Sequence, residues 1–327
     1  MRATYSVDSI EIFGQGVFQA ESVVVDKEGN VYGGGRDGVI YKVSPEGAVT
    51  EIATIPGSMP NGITMDRQGN FVLSDCGKKA VVRVTLSGQV SMIADRVDTV
   101  ALTLPNVACY DADGNLYVSN TSTRDISSVV VEVAKPEPNG ALVCIRPDGK
   151  GEVVATGIYL ANGVAIDPEE EAVYVLESSR KDCLRIALKK DGTFGKPEIY
   201  AKDFPGLPDG MAFDAEGNLY VTIPAAIKDV ETSNAEQIID STFDPWEKHV
   251  KLLDQTGIVG ANQIIRVDTN GNWTLFVEDQ AGEKLAWPTN CAFGGAGLTD
   301  LYIANLRGNH LSRIHTSVRG HPLYHQR

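Results

Sequence analysis

The chain is predicted to be all-β: a six-bladed β-propeller with four-stranded blades around a central channel and a short helical insertion in blade 5. Three observations predict it. A polar residue, a short apolar strand, an Asp five positions on, a Gly-Asn turn or its equivalent and a second apolar strand recur six times, from Glu21, Asn61, Asn106, Asn162, Asp209 and Asn290. Further β-rich runs follow the copies, so each repeat supplies about four strands. Units repeating every ~40 to 45 residues with that content bury their faces only against one another, which favours a propeller over a sandwich. A length of 327 residues with 33 Gly therefore reads as one repetitive domain, 1–327, rather than two ordinary ones.

The elements follow in chain order. The early run 10–13 has no blade of its own and is expected to form the outermost strand of blade 6, tying the two ends of the chain together and removing an open sheet edge. Blade 1 opens at Glu21 and continues through 38–43 and 48–53; blade 2 opens at Asn61 and continues through 80–84 and 89–94, with Pro-Glu-Gly and Leu-Ser-Gly turns between strands. Blade 3 opens at Asn106 and is interrupted by an insertion at about 121–138 that contains the β-branched run 129–133. Blade 4 opens at Asn162, and blade 5 at Asp209 with a longer insertion at about 223–260. There, Ser233 and Glu236 have capping-box spacing, and Asp244-Pro245 precedes Trp246, Val250 and Leu253 at helical intervals, predicting two short helices. Blade 6 opens at Asn290 and carries Gly295 where the other copies have Asp26, Asp66, Asp111, Asp167 and Asp214, which read as turn residues bonding the Gly-Asn corners.

Composition removes several classes of function. Twenty-nine basic against 43 acidic residues give a net charge of −14, which repels nucleic-acid backbones. No apolar run approaches the roughly 18 to 20 residues of a membrane span, and the N-terminus lacks a signal-like apolar stretch, so no membrane partner and a cytoplasmic location are expected. Five scattered cysteines without CxxC spacing read as free buried thiols. There is no GxSxG elbow, no GxGxxG after a strand and no phosphate loop. His249, His310, His315, His321 and His325 read as surface or packing residues.

In a propeller the first strand of each blade lines the channel, so Glu21, Asn61, Asn106, Asn162, Asp209 and Asn290 form a ring. Singly, such residues are ordinary turn formers. Together they call for a partner, because two carboxylates in a secluded channel repel unless neutralised. A single divalent cation on the axis suits this all-oxygen donor set; calcium is the first choice, with magnesium, manganese or weakly held zinc open. Loops after the second strands emerge on the same face, so both insertions are expected there. Trp246 and Phe243 would cover the mouth as a lid, or the blade 5 insertion would form an oligomer contact. Asp75, Asn120, Glu177 and Asn305 end the second strands at the same rim, either supporting the site or as solvated loop ends.

The segments Pro208-Asp209-Gly210-Met211, Ala161-Asn162-Gly163, Pro288-Thr289-Asn290 with its Cys-Ala-Phe-Gly-Gly continuation, and Val318-Arg319-Gly320 resemble, over nearly the whole chain, the senescence-marker-protein, gluconolactonase and luciferin-regenerating-protein-like family of six-bladed propellers. The resemblance implies metal ligation by Glu21, Asn162 and Asp209, and contact of Asn106 with the metal's waters or the substrate. It also implies a departure: members acting on sugar lactones commonly have Arg and Asp where this chain has Leu104 and Val107, so a less polar substrate is expected. The expected function is metal-dependent hydrolysis of a lactone, with Asp209 orienting or deprotonating water, Asn106 assisting, and Asn61, Leu104, Asn290, Trp246 and Glu177 near the substrate. The alternatives are an aryl-esterase or phosphotriesterase on the same site, and a non-enzymatic calcium-binding propeller.

Overall fold

The computed structural model describes residues 3–35, 38–227 and 257–327. Six four-stranded antiparallel sheets are arranged as blades, and a two-residue hairpin, Arg96–Val97 with Val100–Ala101, leads into blade 3. The inner strands are Ser22–Val25, Pro60–Met65, Pro105–Tyr110, Ala161–Ile166, Met211–Phe213 and Pro288–Gly294. As expected, Ile10–Phe13 completes blade 6 as its outermost strand by pairing with Leu311–His315, which ties the two ends of the chain together in one sheet.

Each junction between neighbouring blades holds its own apolar cluster. Leu176, Phe213 and Val221 join blades 4 and 5, for example, and Val25, Phe13 and Tyr302 join blades 6 and 1. A fully buried side chain of this kind contributes about 1.5–3 kcal/mol. The stability of the ring therefore comes from side-by-side contacts between repeats. Five second strands place a tyrosine at the same register position, Tyr32, Tyr117, Tyr174, Tyr220 and Tyr302, all buried. Asp26, Asp66, Asp111, Asp167 and Asp214 accept backbone N–H bonds from Asn30, Asn70, Asn115, Glu171 and Asn218 respectively, which locks the corners between first and second strands. All five cysteines are free, and four are buried.

The insertions differ from expectation in detail. In blade 3, the β-branched run belongs to a helix, α1 (Val129–Ala134), preceded by a 3-10 turn at Ile126–Ser128. Burial of Val130 and Val133 overrides the weak helix propensity of valine. In blade 5, the flanking strands extend to Ile227 and resume at Ile258, with Ile227 paired to Ile258, so the insertion is shorter at both ends than 223–260. The two helices expected there, with Phe243, Trp246 and His249, lie outside the described residues. Among the described residues, no helix is long and apolar enough to cross a membrane.

Segment 318–327 spans the channel end remote from α1 and touches every blade. Gly320 N–H donates to Leu298 of blade 6 and His321 N–H to Phe213 of blade 5, while Gln326 donates to the Val25 carbonyl of blade 1. Tyr324 stacks on Tyr110 of blade 3 at 4.8 Å, under the guanidinium of Arg67 from blade 2, and Arg327 pairs with Glu170 of blade 4. Ending the chain after Ser317 is expected to lower Tm, by roughly 1–2 °C for each kcal/mol that the segment contributes to stability. It should also raise the reactivity of Cys109, which lines the cavity beneath this segment. A thiol titration unchanged from the full chain, with an unchanged melt, would show that the segment is not a clasp.

Candidate functional site

The ring positions follow from register. The inner strands of blades 2, 3 and 4 break their pairing at 60/62, 105/108 and 161/164, so Asn61, Asn106 and Asn162 sit in bulges. A bulge re-aims the side chain it contains. Glu21 lies immediately before its strand and Asp209 two residues before its own, with backbone N–H groups donated to Gly34 and Thr222. Beneath the bulges, hydroxyls of the second strands satisfy the freed backbone: Val107 N–H donates to Ser119 Oγ at 3.0 Å, and Gly210 N–H to Thr222 Oγ1 at 2.9 Å.

Glu21, Asn61, Asn106, Asn162 and Asp209 line one chamber, together with Thr121 and Ser178. Its remaining lining is apolar and includes Leu104, Ile126, Val129, Val133, Leu160, Leu207, Ile258, Trp287 and Leu306. Glu21 Oε2 and Asn162 Oδ1 are buried without a hydrogen-bond partner. Asn106 Nδ2 donates to Thr121 Oγ1 at 3.0 Å, which orients its amide. Burial pushes the Asp209 carboxyl up from 3.8 to about 7, opposed by a hydrogen bond from Asn162. Burial, and then the charge of Asp209, holds the Glu21 carboxyl well above its ordinary value. Two carboxyl groups thus face one desolvated space, where the charge of Asp209 disfavours the ionised form of Glu21.

This donor set suits a hard cation. Among the described residues, no three His, Cys, Asp or Glu side chains cluster as a metal site. The chamber instead offers two carboxylates and a carboxamide oxygen, and two of those oxygens are buried and unpartnered. Such oxygens are costly unless something binds them.

Two expected site residues are placed elsewhere. Asn290 does not belong to the ring. Its strand bulges between Pro288 and Asn290, which puts Thr289 at the register position held by Asn61, Asn106 and Asn162. Asn290 occupies the following position, donates Nδ2 to Ser22 Oγ at 2.9 Å and lines the opposite cavity. Glu177 does not line the chamber: its Oε1 accepts Tyr159 N–H at 2.8 Å. Asp75, Asn120 and Asn305 act alike, accepting from the backbone N–H groups of Met59, Leu104 and Ala286. All four are buried, and they clamp the segments that enter the inner strands. Leu104 is a wall residue, whereas Val107 faces the opposite cavity. Trp246 lies outside the described residues. His310 is buried beside the Lys284 carbonyl and is not a wall residue.

The residues that sequence reading missed are Thr121, Ser178 and the hydroxyls under the bulges. A signal for the last was present, because Ser119 and Thr222 both stand fourth in their second strands.

The model of the SMP-30/gluconolactonase/LRE-like family matches residues 36–249. Strictosidine synthase-like protein 7 of Arabidopsis thaliana is 22% identical over 317 residues, covering 93% of this chain and 81% of that protein. A gluconolactonase of Zymomonas mobilis is 27% identical over 184 residues, 53% of this chain and 51% of its own length. A calcium-binding protein, regucalcin, from Agrobacterium tumefaciens superposes with a TM-score of 0.69 at 15% identity over 99% of both chains, a likeness of fold.

Proposed function

Because the chain belongs to the SMP-30/gluconolactonase/LRE-like family, we propose that it is a divalent-metal-dependent hydrolase that opens a lactone less polar than a simple sugar lactone. The observation that carries this reading is that Glu21, Asn162 and Asp209 line one chamber together with many apolar side chains. These three would hold the ion. Calcium is the first choice for an all-oxygen set, in line with the calcium-binding neighbour of the same fold; magnesium, manganese and zinc are the alternatives. When bound, the ion supplies a Lewis acid for the ester carbonyl and compensates the paired carboxylates.

The chain's own residues do the rest. Asp209, which lines the chamber beside Asn162, serves as the base. As the water oxygen bonds to the carbonyl carbon, its proton passes to Asp209. The ring C–O bond then breaks, and that proton goes to the departing alkoxide, leaving a hydroxy acid. Asn61 and Asn106 donate amide hydrogen bonds to the ester oxygens, and Thr121 keeps the Asn106 amide in one orientation. Leu104, Leu160 and Leu207 exclude water and receive the unreactive part of the substrate. The Zymomonas gluconolactonase supports lactone opening in general, while the apolar walls support the less polar substrate.

An aryl ester is the second reading, favoured by Trp287 in the wall. The test compares initial rates on an aldonolactone, an alkyl-substituted lactone, an aryl ester and an aryl phosphotriester, using metal-stripped protein with calcium, manganese, magnesium or zinc restored. Faster metal-dependent opening of the alkyl lactone than of the aldonolactone is expected. A preference for the aldonolactone removes the polarity reading, and equal rates with and without metal remove the metal.

A further inference from the structure

Helix α1 has little reason to be a helix. Its sequence, Val-Val-Val-Glu-Val-Ala, is mostly β-branched, six residues are too few to be stable alone, and Ser128 at its start makes no side-chain capping bond. Yet Val129 and Val133, one turn apart on the same face, together with Ile126 form one wall of the chamber.

A buried acid holds this wall. Glu132 is fully buried, and its Oε1 accepts from Ser122 Oγ at 2.6 Å and Ser128 Oγ at 3.2 Å, with Arg124 Nε at 4.0 Å. Ser122 is tied further down: its carbonyl accepts Asn120 Nδ2 at 3.0 Å, and Asn120 Oδ1 in turn accepts Leu104 N–H at 2.9 Å. The residue between them, Thr121, orients Asn106. A continuous run of hydrogen bonds therefore links Leu104 in the chamber wall, through Asn120, Ser122 and Glu132, to the helix. Burying an acid is costly, and Glu132 Oε2 has no partner, so this arrangement is poor as a device for stability alone.

We infer that Glu132 is a positioning residue that fixes the distance between α1 and the polar ring, and that Val129 and Val133 thereby select lactones carrying an apolar alkyl or aryl substituent. A hydroxylated substituent at this wall would lose its water without finding a donor or acceptor on either valine. The inference rests on the lactonase reading for its substrate, but the wall itself can be tested without turnover.

Two measurements separate the two claims. Glu132→Ala should raise KM for an alkyl-substituted lactone by about 10-fold with kcat nearly unchanged, since a misplaced apolar contact costs binding that ground state and transition state share. Glu132→Gln, which keeps an acceptor oxygen and the side-chain shape, should restore most of the loss. Val133→Asn leaves the Glu132 contacts in place and should shift the preference from the alkyl-substituted lactone towards an aldonolactone. In parallel, 1-anilinonaphthalene-8-sulfonate binding to each folded variant reads the wall directly, with weaker binding expected for Glu132→Ala and Val133→Asn. Loss of kcat and KM together on every substrate, without rescue by Glu132→Gln, would reduce Glu132 to a folding residue and overturn the inference. Unchanged probe binding in both variants would overturn the wall. If no lactone is turned over but the probe responds as expected, the lactonase reading fails and the apolar wall stands.

Discussion

Replacing Asp209 with Asn is expected to lower turnover by about 10²–10⁴-fold and, in the metal-free protein, to raise Tm. These opposite effects share one cause. Asp209 and Glu21 face the same desolvated chamber, and the charge of Asp209 helps hold the Glu21 carboxyl above its ordinary value. Asparagine keeps the shape, cannot take a proton from water and carries no charge to repel Glu21. The pH dependence follows from the same pair. The Asp209 carboxyl titrates near 3.8 in an unfolded chain and at about 7 in the fold, so between those values the folded protein holds more protons. Stability of the metal-free wild type therefore falls as pH rises through that window, and Glu21, held well above its ordinary value, adds to the fall in the same direction. The slope should be shallower in Asp209→Asn. Calorimetry from pH 4 to 8 on metal-stripped protein, beside steady-state rates with calcium restored, checks both. Full turnover by the variant would remove Asp209 as the base. A lower metal-free Tm at pH 8 would show that Asp209 stabilises the ring rather than straining it.

Much of this site was legible because a propeller repeats. The constant offset from each polar residue to its turn aspartate brought Glu21, Asn61, Asn106, Asn162 and Asp209 to one axis, and the corner bonds of Asp26 through Asp214 follow from the same offset. The sixth copy has no such aspartate, and there the alignment slipped by one residue to Asn290. A better signal was the proline before the ring residue: Pro60, Pro105 and Pro208 precede Asn61, Asn106 and Asp209, and Pro288 precedes Thr289. Helix α1 was not legible, because valines favour strands and its helical form depends on burial and on Glu132, a contact between segments that no local pattern encodes. The strand-end residues were ambiguous for a related reason. Whether Glu177 reaches outward or clamps Tyr159 N–H depends on how a loop passes it.

The glycine after the ring residue carries the second large expectation. Gly163 is not in the left-handed region, so its role is space rather than backbone freedom. A Cβ there would come within 2.6 Å of the Asp209 carbonyl oxygen, 2.8 Å of Leu176 Cδ1 and 3.1 Å of Gly210 Cα. Its N–H donates to that same Asp209 carbonyl at 2.7 Å, so the inner strands of blades 4 and 5 touch directly at the ring. The pairs Asn61-Gly62, Asn162-Gly163 and Asp209-Gly210 are contact points between neighbouring blades. Gly163→Ala must push against backbone on one side and a fully buried leucine on the other, and overpacking of this kind costs about 1–3 kcal/mol. The displaced atom is the carbonyl of the proposed base. A shift approaching 1 Å between Asn162 and Asp209 is expected to cost on the order of 10²-fold in turnover as well. Thermal melts and rates on the alkyl-substituted lactone test this together. A variant that melts and turns over like the wild type would mean that the inner strands tolerate separation and that the ring is not held by this contact. A variant that loses stability but keeps full turnover would place the tolerance in the Asp209 side chain, which would then reach its position from a displaced backbone.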